Sequence, residues 1–187
     1  MANPEHLAKL REGVTAWNTW RQTNPDIQPD FTESNFVMAE LSGMDLRWVD
    51  LSMSELQGAN IRGADLTGAD LYGANLSGAN LSEANLSMAD LRKTDLSGAS
   101  FLMADLRGAN LRRANLTGAN LQRANVKGAD LDSAKLIGTD LNGAQLHRAI
   151  LINAIFGSED LCGAKLGEAC LDKIRFRAHQ EGEGDNH

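Results

Sequence analysis

GADLTGADLYGANLSGANLSEANLS, residues 63–87, places a leucine at every fifth position (Leu66, Leu71, Leu76, Leu81, Leu86) and a small residue two places before each. Counted outward in fives, an apolar residue holds every station from Phe31 to Phe176, thirty in all without a slip. An α-helix turns ~100° per residue, so a step of five drifts ~140° and lays down no stripe. In a straight strand five is odd, and successive leucines would point to opposite faces, half of them into water. The chain must therefore bend once per five residues, so that each leucine returns to a common axis and successive coils stack as a solenoid.

The other positions agree. Ala59, Ala64, Ala69, Ala74, Ala79, Ala84 and Ala89 stand two before a station and are small enough to share a narrow interior. Asp or Asn stands one before it, with a short side chain that can bond nearby backbone and stabilise a turn. Glycine recurs two places after it (Gly58, Gly63, Gly68, Gly73, Gly78), as outward corners require. Units such as GANLS, GADLT and RANLT resemble the pentapeptide repeat family over residues 29–177. The resemblance implies an all-β solenoid, a right-handed quadrilateral β-helix with four pentapeptides per coil. Thirty units then make about 7.5 coils, roughly 36 Å of stack at ~4.8 Å per rung. The N-terminal GVTAWNTWRQTNPDIQPDF resembles the lead-in of cyanobacterial members.

Stacked coils leave open edges that need caps. Residues 1–28 are expected to supply one, a capping α-helix and linker. Asn3 is its N-cap, Pro4 its first residue, and Leu7, Leu10, Val14 and Trp17 its apolar face, with Pro25 and Pro29 ending any continuation. Residues 29–177 form the β-helix, and the polar stretch 178–187 reads as a disordered tail.

With 5% aromatics and 18 glycines, the core must be built mostly from leucine and alanine. No apolar run suits a signal peptide or a membrane span, so a cytoplasmic protein is expected. A net charge of −7 argues against general nucleic-acid binding. Of the four histidines, none (His6, His147, His179, His187) has a sequence-near Cys, Asp or Glu at ligand or triad spacing, so no metal, cofactor or catalytic role is expected. The Asn-Leu-Ser/Thr triplets at Asn75, Asn80, Asn85 and Asn115 are dictated by the repeat and are not read as glycosylation sites. With four units per coil, Cys162 and Cys170 fall on opposite sides of the square, beyond the reach of a disulfide.

Stations twenty residues apart stack, so the surface can be read as rows. Arg92 and Lys93 lie under Arg112 and Arg113 on one face, while Arg107 and Lys127 stack on its neighbour, with His147 and Arg148 one coil on. Together these form a basic belt, the candidate partner-binding site. Residues 26–70 carry nine acids against Arg47 and Arg62, which polarises the rod along its axis. Ile137, Ile150, Ile152 and Ile155 take positions that are normally polar and form a candidate apolar patch. The chain after Leu171, with Ile174 and Phe176, is expected to fold over it; the alternative cover is a second copy, a homodimer through the carboxyl-terminal end. Glu159 occupies an interior position, and a local bulge would let its carboxylate reach water.

Composition and motifs point to no enzyme. The expected role is a non-catalytic rigid scaffold that binds an unidentified protein partner, with no membrane or direct nucleic-acid contact. The alternative implied by the resemblance is a DNA mimic that binds a type II topoisomerase (DNA gyrase), as quinolone-resistance members do. Here the basic belt interrupts the acidic field that such a mimic needs.

Overall fold

The computed structural model describes residues 2–157 and 160–177. The expectations for Glu159, for His179 and His187 and for the tail 178–187 lie outside these described residues.

The first turn of the chain begins as its sequence predicts: the Asn3 side chain accepts from the Glu5 N–H at 2.9 Å, and Pro4 follows at the first helical position. The single capping helix expected within residues 1–28 is two helices, α1 (Pro4–Arg11) and α2 (Val14–Thr23). Gly13 separates them at φ +96°, a conformation closed to most side chains and incompatible with a continuous helix. The break re-aims α2. Val14, placed on the buried face by its spacing, is 41% exposed, whereas Trp17 and Arg21 are buried.

Each pentapeptide then repeats one hydrogen-bonding scheme. In the unit at Leu56, Ala59 N–H donates to Leu56 O at 3.0 Å and closes a β-turn, and Gly58, third of its four residues, has φ +63°. Leu56 N–H donates to Asn75 O at 2.7 Å in the next coil, and Asn75 N–H returns to Ser54 O at 2.9 Å. Parallel bridges join residues twenty apart, from Asp30↔Asp50 through Ile150↔Cys170. Four units thus close one coil, and the chain is a right-handed quadrilateral β-helix. Two-residue and three-residue rungs form strands β1 (Lys135–Leu136), β2 (Ile155–Gly157) and β3 (Arg175–Arg177), paired in parallel in that order.

Every station from Phe31 to Phe156 is buried, and the alanines between them line the same axis. At ~25 cal/mol per Å² of apolar surface, each buried leucine contributes about 2 kcal/mol. Two polar residues that replace alanine bond locally: Ser54 Oγ and Thr94 Oγ1 each donate at 2.6 Å to the carbonyl three residues back, whereas Thr139 Oγ1 donates at 2.7 Å to Leu116 O in the preceding coil.

The first coil has no coil before it, and α2 takes that place with side chains. Trp17 Nε1 donates to Asp45 O at 2.8 Å, Asn18 Nδ2 donates to Gly43 O at 2.9 Å, and Asn18 Oδ1 accepts from Asp45 N at 2.8 Å. The buried Arg21 guanidinium donates to Ile27 O and Arg47 O. Burial lowers its pKa, Asp45 opposes that shift, and Arg47 adds to it.

At the other end the register is disturbed. The Asp160 carboxylate accepts from Gly138 N at 3.0 Å and from Gly157 N, and Gly143 N–H reaches Gly163 O, one residue beyond the regular partner. Rungs resume at Gln145↔Lys165. The chain after Leu171 does not fold back over the isoleucines. Its N–H and C=O groups add a further rung in register, with Ile155 opposite Arg175 and Phe156 opposite Phe176. Leu171 and Phe176 are exposed there.

Candidate functional site

Where Asp or Asn stands before a station, its side chain is commonly bonded into its own unit. Asp90 Oδ1 accepts the Arg92 N–H at 3.1 Å, and the same arrangement recurs at Asp50, Asp70, Asn75, Asn120 and elsewhere. Where an arginine follows the station, the identity of that acceptor decides where the guanidinium goes. In Asp-Leu-Arg units the carboxylate captures it, with Arg92 Nη2 2.5 Å from Asp90, Arg107 Nη2 2.6 Å from Asp105 and Arg47 Nη2 2.5 Å from Asp45. Asn110 offers an amide instead, and Arg112 reaches into the next coil, 3.4 Å from Asp130 and 2.7 Å from Asp132. Asn60 likewise leaves Arg62 to pair with Glu83 at 2.7 Å.

These pairs set the electrostatics. Burial pushes the Asp90 carboxyl up, but hydrogen bonds from the Arg92 side chain and backbone, with its charge, hold it below the ordinary value; Asp45 behaves alike beside Arg47. Arg92 and Arg107 are raised by their carboxylate partners. The six belt residues therefore differ. Arg92, Arg107 and Arg112 are neutralised, whereas Lys93, Arg113 and Lys127 form no ion pair among the described residues.

Arg92, Lys93, Arg112 and Arg113 converge with Tyr72, the chain's one tyrosine, around a cavity of about 300 Å³. Lys93 Nζ donates to Tyr72 Oη at 2.7 Å, and the Arg92 guanidinium stands 5.4 Å from the ring centroid. Arg107 and Lys127 lie on the adjoining row, one coil apart, joined by Gly108 N–H to Lys127 O at 3.0 Å. Beyond them Arg148 is paired with Glu168 at 2.9 Å. Toward the amino end, Asp30, Asp50, Asp70 and Asp90 occupy successive rungs of one face, and the first three form no ion pair among the described residues.

The four isoleucines are divided between faces. Ile137 and Ile155 are half-buried and line a groove of about 470 Å³ with Lys135, Asn115, Thr117 and Ser97. Ile150 and Ile152 flank Leu151 on the adjoining face, and only Ile150 is exposed. Among the described residues no group of three or more His, Cys, Asp or Glu is arranged to hold a metal ion, and Cys162 and Cys170 are both free thiols.

Sequence reasoning missed the corners. Met38, Trp48, Met53 and Met88 take the left-handed turn position, and each leans over the glycine of the next coil: Gly58, Gly68, Gly73 and Gly108. The signal was present as a bulky residue matched to glycine twenty positions later. The pairs explain why these large apolar side chains, more than half exposed, sit on the surface.

Comparison with known proteins places this architecture. A family described as pentapeptide repeats matches in eight copies, over residues 59–98, 74–113, 109–148, 129–167 and 139–177. The solved structure of Rfr23, a pentapeptide repeat protein from the cyanobacterium Cyanothece 51142, is 32% identical, with 63% of this chain and 60% of that chain covered and a TM-score of 0.37. QnrB1, a plasmid-mediated fluoroquinolone resistance protein, is 17% identical over 80% of both chains with a TM-score of 0.56, a likeness of fold. HetL, involved in heterocyst differentiation regulation in Nostoc sp. strain PCC 7120, is 29% identical over 94% of both chains with a TM-score of 0.25. A search of curated proteins finds no match.

Proposed function

The chain belongs to the pentapeptide repeat family, and on that premise we propose that it is a rigid, non-catalytic scaffold that binds a protein partner through its outward rows in the cytoplasm. The observation that carries this reading is the division of labour within each unit. Stations and alanines are buried and fix the shape, while the outward positions vary in charge without touching the core. Uncompensated charge is segregated along the rod, with Asp30, Asp50 and Asp70 at one end and Lys93, Arg113 and Lys127 in the middle. Such separation steers encounter and fixes orientation of a complementary surface. Among the described residues no helix is long and apolar enough to cross a membrane.

The test is capture of a partner from the native cell with the intact chain, followed by the triple reversal Lys93→Glu, Arg113→Glu and Lys127→Glu. Capture should be lost while circular dichroism is unchanged. Unaltered capture would remove the belt as the recognition surface. A second reading, a DNA mimic acting on DNA gyrase, is favoured by the Asp30–Asp50–Asp70–Asp90 ladder and opposed by the cations that follow it. Failure to inhibit gyrase supercoiling at micromolar protein would discard that reading.

A further inference from the structure

We propose that the notch formed by Tyr72, Lys93 and Arg113, with Arg92 and Arg112 as its walls, binds one phosphate group carried by a small molecule. This goes beyond the scaffold reading and does not rest on it.

The notch is lined by donors. Lys93 and Arg113 both occupy left-handed corner positions, at φ +58° and +60°, on successive coils of one row. Lys93 N–H donates to Arg112 O at 3.1 Å, which fixes the register, and the two side chains leave the rod ~4.8 Å apart along its axis. One tetrahedral oxyanion can bridge cations at that spacing. Tyr72 Oη already accepts from Lys93 Nζ, so its own proton is free to point into the cavity.

The walls are held before any ligand arrives. Arg92 is tied to Asp90 and lies near the Tyr72 ring, and Arg112 is tied to Asp130 and Asp132. Fixed guanidinium groups lose little rotamer freedom on binding, which favours affinity without added contacts. The tethering depends on Asn110. An aspartate there would capture Arg112 within its own unit, as Asp90 captures Arg92.

Charge limits the ligand. Arg92 and Arg112 are already paired with carboxylates, so only Lys93 and Arg113 offer cations without an ion pair among the described residues, which suits a single phosphate rather than a polyphosphate. On the same face Asp70, Asp50 and Asp30 follow in successive rungs and would repel the neighbouring phosphates of a nucleic-acid strand. A carboxylate would be satisfied by one arginine fork. The notch instead offers three donors without a carboxylate partner among the described residues, on Tyr72, Lys93 and Arg113, which match in number the three free oxygens of a phosphate ester. The cavity of about 300 Å³ leaves room for the ester substituent.

The full chain would be titrated calorimetrically at constant ionic strength with inorganic phosphate, glycerol 3-phosphate, succinate and a phosphoserine peptide. Saturable binding of both phosphates near millimolar is expected, with succinate at least about tenfold weaker. Lys93→Met and Arg113→Met should each weaken phosphate binding about tenfold, and Tyr72→Phe several-fold, whereas Arg107→Met, in the belt but outside the notch, should leave it unchanged. Circular dichroism would verify that each variant is folded. Absence of saturable binding, equal binding of succinate, or equal loss in Arg107→Met would overturn the proposal. Tighter binding of the phosphoserine peptide than of glycerol 3-phosphate would overturn its assignment to a small molecule. Because no protein partner is present in the titration, a negative result leaves the scaffold reading standing.

Discussion

Adding one methyl group at Gly68 or at Gly63 should have different consequences, although the two backbones are alike. Both glycines have φ +64°, so alanine at either pays the same left-handed strain, about 1 kcal/mol. A Cβ at Gly63 would meet nothing within 4 Å, whereas at Gly68 it would lie 2.2 Å from Trp48 Cζ3. The indole would have to leave. Trp48 is 57% exposed, so roughly 100 Å² of it is covered, and losing that contact costs up to ~2.5 kcal/mol at ~25 cal/mol per Å². Gly68→Ala should therefore cost about 2–3 kcal/mol against about 1 kcal/mol for Gly63→Ala, measured by guanidinium denaturation. In a Trp48→Ala background Gly68→Ala should fall to the Gly63 value, a coupling of about 1–2 kcal/mol. Equal costs for the two glycines, or no coupling to Trp48, would refute the idea that bulky corners rest on the glycine of the next coil.

Asn110→Asp should draw Arg112 back onto its own unit and away from Asp132, visible as a changed Arg112 side-chain environment by NMR; an unchanged signal would show that the preceding residue does not direct it. Replacing Trp17 by Phe keeps the ring against Phe31 but deletes the 2.8 Å bond to Asp45 O, and should destabilise by about 1 kcal/mol in thermal or denaturant melts. The Asp45 and Asp90 carboxyls sit below their unfolded values, so their contribution is present above about pH 4 and is lost as pH falls through their folded values. Asp90→Asn should accordingly be less stable than the parent at pH 7, and the difference should shrink when denaturant midpoints are compared at pH 3.

The five-residue period was legible because it is a demand on geometry: only a chain that bends at each unit can bury Leu66, Leu71 and Leu76 on one axis. The turn role of Asp and Asn was legible for the same reason, since their bonds reach only two residues ahead. The helix break was harder to see. Gly13 interrupts a pattern whose apolar spacing continues through it, and the spacing alone placed Val14 inward. The isoleucines read as one patch because they crowd together in sequence, yet a corner of the square separates Ile150 and Ile152 from Ile137 and Ile155.

The sequence by itself determined the coil and its interior, because each depends on contacts within a unit or on a period repeated thirty times. Only the tertiary structure decided which charges are available. A row of arginines looks uniformly basic along the chain, but Arg92 is held by the acid two residues before it and Arg112 by acids one coil away, while Lys93 and Arg113 keep their charge. That outcome depends on distances of a few ångströms between side chains about twenty residues apart, which are set when coil lies on coil.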